Sequence, residues 1–225
     1  MTPGERFVHV REAVRAASRA AGRDAGAVRL LPVSKTQPAG AVRAVMAAGG
    51  HQFGENRVQE MTAKAGEVDG AAWVLIGHLQ RNKAAAACAV MSELQSLDSV
   101  ALARALETWY AGHRPEARLR VLVEVNTSGE PSKWGAHPGA VAEFTRELRS
   151  YPHLDVRGLM TVAHPDPDRA RLGFAALAGL RDQLRDRDGG GWDELSMGMS
   201  GDYAAAIAAG STCVRIGTAI FGDRQ

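Results

Sequence analysis

The sequence predicts a (β/α)₈ barrel with an extra helix at its N-terminus. Eight short apolar, β-like runs alternate with Ala-rich helical segments almost to the end of the chain. The polar residues that interrupt this pattern gather at the C-terminal ends of the runs, the face on which barrels of this class build their sites. With 225 residues, 45% of them hydrophobic, there is enough material for one sizeable core, and a single domain over residues 1–225 is the simplest organisation. A doubly wound open sheet is the alternative.

The N-terminal stretch, Met1 to Arg29, is rich in Arg and Ala. Its apolar positions Phe7, Val10, Val14 and Ala17 have helical spacing and lack the continuous apolar run of a signal peptide. The predicted strands are Val28 to Ser34, His51 to Gly54, Trp73 to Gly77, Glu93 to Leu97, Leu119 to Asn126, Val156 to Val162, Glu194 to Met197 and Cys213 to Ile216. Between them fall helices at Ala39 to Ala48, Asn82 to Met91, Val100 to Ala111, Pro138 to Arg149, Asp168 to Arg187 and Asp202 to Ala209. Pro38 and Pro138 stand where a helix begins and a missing N–H costs nothing, and Gly49-Gly50 and Gly210 follow helices where a left-handed residue is wanted. Neither 188–191 nor 165–168 is long enough to link two domains.

The formal net charge is +2, from 27 basic and 25 acidic residues scattered along the chain, so no basic stripe exists to neutralise a phosphate backbone. Nucleic acid is excluded as the main partner, and no stretch reaches the length of a membrane span. Cys88 and Cys213 match no CxxC or zinc-ligand spacing and read as small buried apolar residues in a reducing compartment, which predicts a cytoplasmic protein. No heptad pattern calls for a coiled coil, and a monomer is expected.

Four lysines are present: Lys35, Lys64, Lys83 and Lys133. Lys35 closes the first strand, after the apolar run Leu30 to Val33. Desolvation there would favour the neutral amine, a nucleophile toward an aldehyde or ketone. A rim lysine in a salt bridge is the competing reading, and position alone does not separate the two. Lys64 is placed on a polar helix and read as solvated; Lys83 and Lys133 are read as surface lysines that could supply charge at the mouth.

The segment SMGMSGD runs into the helix-forming AAAIAAG, bringing Ser200, a flexible backbone and a helix start together. The RIGT segment adds Gly217 and Thr218. Both follow strands seven and eight, where barrels of this kind hold phosphate. Ser200 as a plain N-cap is the structural alternative, and it is compatible with phosphate binding. Arg215 sits inside the eighth strand between Val214 and Ile216. A buried guanidinium needs an acceptor, either a structural carboxylate or a ligand atom such as a pyridine nitrogen, which it would hold unprotonated. Asn56 and Asn126 could touch a ligand or satisfy loop backbone, with Asn56 the better ligand candidate. His78 reads as a rim histidine.

The segments PVSKT, FGENRVQE, IGHLQRNK, VNTSGEPSKWG, GLMT and LSMGMSGDYAAAIAAGSTCVRIGTAIFG span nearly the whole chain in order. Together they resemble the pyridoxal phosphate homeostasis protein family. The resemblance implies an alanine-racemase-type barrel holding pyridoxal 5′-phosphate (PLP) as a Schiff base on Lys35. It places the phosphate on Ser200, Gly217 and Thr218 and Arg215 opposite the pyridine nitrogen, with Asn56 and Met197 as further cofactor contacts. It also implies a role in balancing PLP and amino-acid pools, with no established turnover. Arg57 stands where the family commonly has tyrosine, and Trp134 where a small or polar residue is usual. Both departures lie beside the residues carried over, and they bear on charge at the mouth.

A PLP carrier or regulator, which would exchange PLP with free amino acids or PLP-accepting enzymes, is one reading; an amino-acid racemase is the other. Two-base racemisation needs a group on each side of the substrate Cα, and alanine racemases draw a tyrosine from an additional C-terminal domain. Here the sequence ends at Gln225, soon after the eighth strand, which favours the carrier. Tyr203, His78 and His164 are the candidates for a replacement base. A PLP-independent lysine aldolase would share the barrel and the lysine, but not the paired phosphate and Arg215 signals.

Overall fold

The computed structural model describes residues 1–130 and 133–222. Pro131 and Ser132, within the VNTSGEPSKWG segment, and the Asp223–Gln225 end of the tail lie outside the described residues. Eight parallel strands form the barrel wall: β1 (Arg29–Pro32), β2 (Gln52–Glu55), β3 (Ala72–Leu75), β4 (Met91–Leu97), β5 (Leu119–Glu124), β6 (Leu154–Met160), β7 (Glu194–Ser196) and β8 (Cys213–Ile216). The ladder runs β1-β8-β7-β6-β5-β4-β3-β2. A parallel bridge between Val33 and Gly54, with the Ser34 N–H donating to the Gly54 carbonyl at 3.0 Å, joins its two ends and closes the barrel.

The helices are α1 (Pro3–Ala20), α2 (Ala39–Ala47), α3 (Val58–Ala65), α4 (Ala84–Cys88), α5 (Val100–His113), α6 (Val141–Leu148), α7 (Pro167–Asp188), α8 (Tyr203–Ala208) and α9 (Thr218–Phe221). Thr2 and Glu5 form a reciprocal capping box that starts α1, and Pro3 at its first turn has no N–H to leave unpaired. Of the stripe its spacing predicts, Phe7, Val10 and Val14 are buried and Ala17 is partly buried, and each of the three buried side chains contributes roughly 1.5–3 kcal/mol of apolar burial. Arg6 then donates to the last carbonyls of α9, Ile220 at 2.6 Å and Phe221 at 3.0 Å, so the extra helix straps the end of the chain to its beginning. Asp166 caps α7 by accepting from the Asp168 and Arg169 N–H groups, and Gly189, at φ 70°, ends it.

Two predicted helices and the placement of one residue are corrected. The helix read over Asn82 to Met91 is a 3₁₀ turn (Arg81–Lys83) followed by the short α4, and Met91 begins β4, where it pairs with Trp73. Met91 is buried there as a strand residue. The helix read from Asp202 begins at Tyr203, with Asp202 rather than Ser200 in the cap position. Lys64 is not solvated: it is 5% exposed, because it follows Val58 and Met61 on the buried face of α3.

Alternation along the strands sorts the barrel interior. Arg29 donates to both oxygens of Glu93 at 2.7 Å, and Arg120 pairs with Glu194, so partly exposed arginines close the N-terminal end over buried carboxylates. One level up, Leu31, Val74 and Cys213 pack as a small apolar cluster on one side. On the other side Gln95 donates to Glu93 at 2.7 Å and accepts from Ser196 Oγ at 2.6 Å, while Ser196 accepts from Arg215 at 2.7 Å. A hydrogen-bonded column thus climbs from the floor to Arg215. Residues 29, 31, 33 and 35 share one strand phase, as do 213, 215 and 217, so β1 and β8 deliver Lys35, Arg215 and Gly217 to the mouth.

Candidate cofactor site

A cavity of about 360 Å³ opens at the C-terminal ends of β1, β2 and β8. Its lining includes Lys35, Asn56, Ser200, Arg215, Gly217 and Thr218, six of the seven residues singled out from the sequence. Met197 is not among them: its side chain is fully buried, and its N–H donates to the Cys213 carbonyl. Met199, two residues on, lines the cavity instead and is partly exposed. Strand phase does not extend into the irregular SMGMSGD turn, and Met199 carried no sequence signal. Gln37, Ile76 and Phe221 also line the cavity and carried no sequence signal.

Arg215 is 3% exposed and donates to two neutral oxygens, Ser196 Oγ and the Thr161 carbonyl, each at 2.7 Å. The structural-carboxylate alternative therefore has no support from its hydrogen bonds, although Glu124 acts on it electrostatically. A guanidinium carries five N–H donors, so donor capacity remains for a ligand. Burial pulls the Arg215 pKa below the ordinary arginine value. Glu124, at the C-terminal end of β5, is pushed up to about 7 by burial and by Asp98, against the pull of Arg215.

Around the phosphate candidates the chain approaches itself closely. A Cβ at Gly217, just past the end of β8, would lie 3.2 Å from the Val33 carbonyl oxygen, a tight contact that glycine avoids. Gly198, at φ 98°, would put a Cβ 2.6 Å from Ala206 Cβ, so it lets the SMGMSGD turn fold down onto α8. Asp202 accepts from the Met199 N–H at 2.5 Å and ties that turn, leaving Ser200 at the cavity wall.

The remaining candidates lie elsewhere. Asn126 donates to the Glu130 and Lys133 carbonyls and accepts from Ser128, so it satisfies loop backbone. His78 pairs with Asp98 at 2.9 Å and stacks on Trp134 with ring centroids 3.6 Å apart, a rim position as read from the sequence. Trp134 itself is 60% exposed. Lys133 is paired with Glu130 at 2.5 Å and donates to the Ala163 carbonyl. His78, His164 and Tyr203, the possible second bases, do not line the cavity.

The turn that presents Lys35 is held from outside the barrel. Lys64 Nζ donates to the Ser34 carbonyl at 2.6 Å, Glu55 Oε1 at 2.7 Å and Glu60 Oε1 at 2.8 Å. Ser34 Oγ donates to Glu55 Oε1 at 2.6 Å, and the Thr36 N–H donates to Glu60. Thr36 has φ 63°, a left-handed conformation that is costly for a β-branched residue. Sequence reading missed this cluster, although the spacing of Val58, Met61 and Lys64 carried the signal.

Residues 9–225 match the family model described as alanine racemase, N-terminal domain. The chain is 43% identical over 227 residues to the pyridoxal phosphate homeostasis protein of Pseudomonas aeruginosa, covering 100% of this chain and 96% of that protein. It is 38% identical over 230 residues to the protein of the same name from Escherichia coli, covering 97% and 95%. Among solved structures it is similar to PipY of Synechococcus elongatus with PLP bound, at a TM-score of 0.86 and 32% identity, covering 98% of this chain and 100% of that one. With motifs, barrel and cavity in agreement with these matches, the chain belongs to the alanine racemase N-terminal domain family and, within it, to the pyridoxal phosphate homeostasis proteins.

Proposed function

We propose that this protein holds PLP as a Schiff base on Lys35 and takes part in PLP and amino-acid homeostasis as a carrier or regulator. The observation that carries this is the convergence of Lys35, Arg215, Ser200, Gly217 and Thr218 on one cavity of about 360 Å³. The donor set suits PLP: an amine for the aldehyde, a donor-only guanidinium for a ring nitrogen, and hydroxyl and backbone groups for a phosphate. Bound PLP supplies an electrophilic aldehyde on a conjugated pyridine ring. Lys35 offers the anchoring nitrogen at the mouth, from which another amine can displace it. Arg215 cannot accept a proton, and so favours an unprotonated ring nitrogen and a weaker electron sink. Ser200, Thr218 and Gly217 would hold the phosphate. Asn56 would flank the cofactor, and Met197 would support the turn from beneath.

None of the three candidate second bases lines the cavity, which supports a carrier over a racemase. Among the described residues no helix is long and apolar enough to cross a membrane. We place the protein in the cytoplasm as a monomer, exchanging PLP with free amino acids or PLP-accepting enzymes. The test is titration of the purified protein with PLP, followed by absorbance. The wild type is expected to develop the band of lysine-linked PLP, and Lys35→Ala to lose it while retaining PLP non-covalently through its phosphate. A wild type that develops no such band overturns the proposal. Interconversion of D- and L-amino acids at roughly 1 per second or faster would overturn the carrier reading in favour of an enzyme.

A further inference from the structure

We propose that Lys64 is a positioning residue for Lys35: with Glu55 and Glu60 it forms a buried clamp that holds the Ser34–Thr36 turn in the one conformation that presents the Lys35 amine to the cavity. The inference rests on the cofactor reading above.

The clamp grips both sides of Lys35. On one side Ser34 is held twice, its carbonyl by Lys64 Nζ at 2.6 Å and its hydroxyl by Glu55 at 2.6 Å. On the other side the Thr36 N–H is held by Glu60. Lys64 is the hub, since an ammonium has three donors and all three are spent here, on Ser34, Glu55 and Glu60. Gathering two carboxyl groups on one lysine, with Glu55 fully buried and Glu60 partly exposed, is a poor way to gain stability. Val58 and Met61 already bury this face of α3 with apolar side chains. What the ions add is control of the backbone around Lys35.

Thr36 shows what that control achieves. A β-branched residue at φ 63° persists only where its surroundings over-determine it, and the group that holds its N–H is bound in turn to Lys64. Without Lys64, Glu55 and Glu60 repel each other, Glu60 releases the Thr36 N–H, and the turn relaxes toward an ordinary conformation that aims residue 35 elsewhere. The phosphate and Arg215 sides of the cavity are not part of the clamp. Capture of the aldehyde and binding of the phosphorylated ring therefore respond separately.

The experiment compares the wild type with Lys64→Met on two probes. PLP reports covalent capture through the rate at which the lysine-linked absorbance band forms. Pyridoxine 5′-phosphate, which has no aldehyde, reports the rest of the cavity through its Kd. Lys64→Met is expected to slow capture roughly ten-fold or more, the population effect of releasing a strained turn, while pyridoxine 5′-phosphate binds within about two-fold of wild type. Adding Thr36→Gly, which removes the penalty for the left-handed turn, is expected to restore part of the rate. Equal loss with both probes, or no loss with either, overturns the inference, as does a double variant no faster than Lys64→Met. If Lys64→Met does not fold by circular dichroism, Glu60→Gln takes its place. It keeps an acceptor for Thr36 but weakens the grip of Lys64, so capture slows with unchanged pyridoxine 5′-phosphate binding, and an unchanged rate refutes the clamp. A wild type that never captures PLP overturns the cofactor reading and this inference together; a wild type that does, matched in rate by a folded Lys64→Met, overturns this inference alone.

Discussion

Glu124 makes the stability of the ligand-free protein fall as pH rises, and Glu124→Gln should abolish that part of the dependence. The carboxyl lies at the C-terminal end of β5, 7% exposed, with Oε2 buried and without a hydrogen-bond partner among the described residues. Burial and Asp98 raise it to about 7 against an ordinary 4.5, with Arg215 pulling the other way. Between those two values the unfolded chain has released the proton while the folded chain keeps it. The folded state binds more protons, so stability is full below pH 4.5, declines through the interval and levels off above pH 7. The interval corresponds to ~3 kcal/mol. Any pH-independent cost of placing an amide there cancels when the same pair of proteins is compared at two pH values. Urea unfolding of both proteins, followed by far-UV circular dichroism from pH 4.5 to 8, reads the difference directly. The variant should gain ~3 kcal/mol on the wild type between the two ends. If the stability of the variant relative to the wild type stays constant or falls as pH rises, the placement of Glu124 as a buried acid is refuted.

Gly158→Ala would put a Cβ 1.9 Å from the Glu194 carbonyl oxygen, where β6 pairs with β7. The barrel must open to admit it, and a thermal melt should fall by about 10 °C or more; an unchanged melt would contradict the strand register. Arg29→Met leaves Glu93 buried without its bidentate partner, and urea denaturation should register a loss of about 3–5 kcal/mol, with no effect on the PLP absorbance band of the folded protein. A loss below 1 kcal/mol would mean that the floor network is not closed as described. Cys88 and Cys213 are both buried and free, with burial pushing the Cys88 thiol up to about 12. A thiol reagent should therefore find neither in the native protein and both after unfolding, and rapid native labelling would place at least one of them elsewhere.

The barrel was legible because its signals are local. Apolar runs, helix spacings and boundary residues such as Pro38 and Gly49 act over a few residues, and parallel strands need the helices that separate them. The cavity was legible to the extent that strand phase carries: Lys35 follows Arg29, Leu31 and Val33 in alternation, and Arg215 and Gly217 follow Cys213. Regular phase stops in the SMGMSGD turn, where Met199 lines the cavity without any sequence signal for it. Lys64 was misplaced for a different reason. A lysine in a polar helix is usually solvated, and only the tertiary coincidence of Ser34, Glu55 and Glu60 makes its burial tolerable. The column from Glu93 through Gln95 and Ser196 to Arg215 likewise joins residues far apart in sequence, which no pattern along one strand reveals.

The central claim, that Lys35 carries the cofactor, is tested most directly by saturating the protein with PLP, reducing with borohydride and mapping the peptides by mass spectrometry. The cavity geometry predicts one pyridoxyl-phosphate adduct, on Lys35. An adduct on Lys64, Lys83 or Lys133 in its place, or no adduct at all, would contradict it.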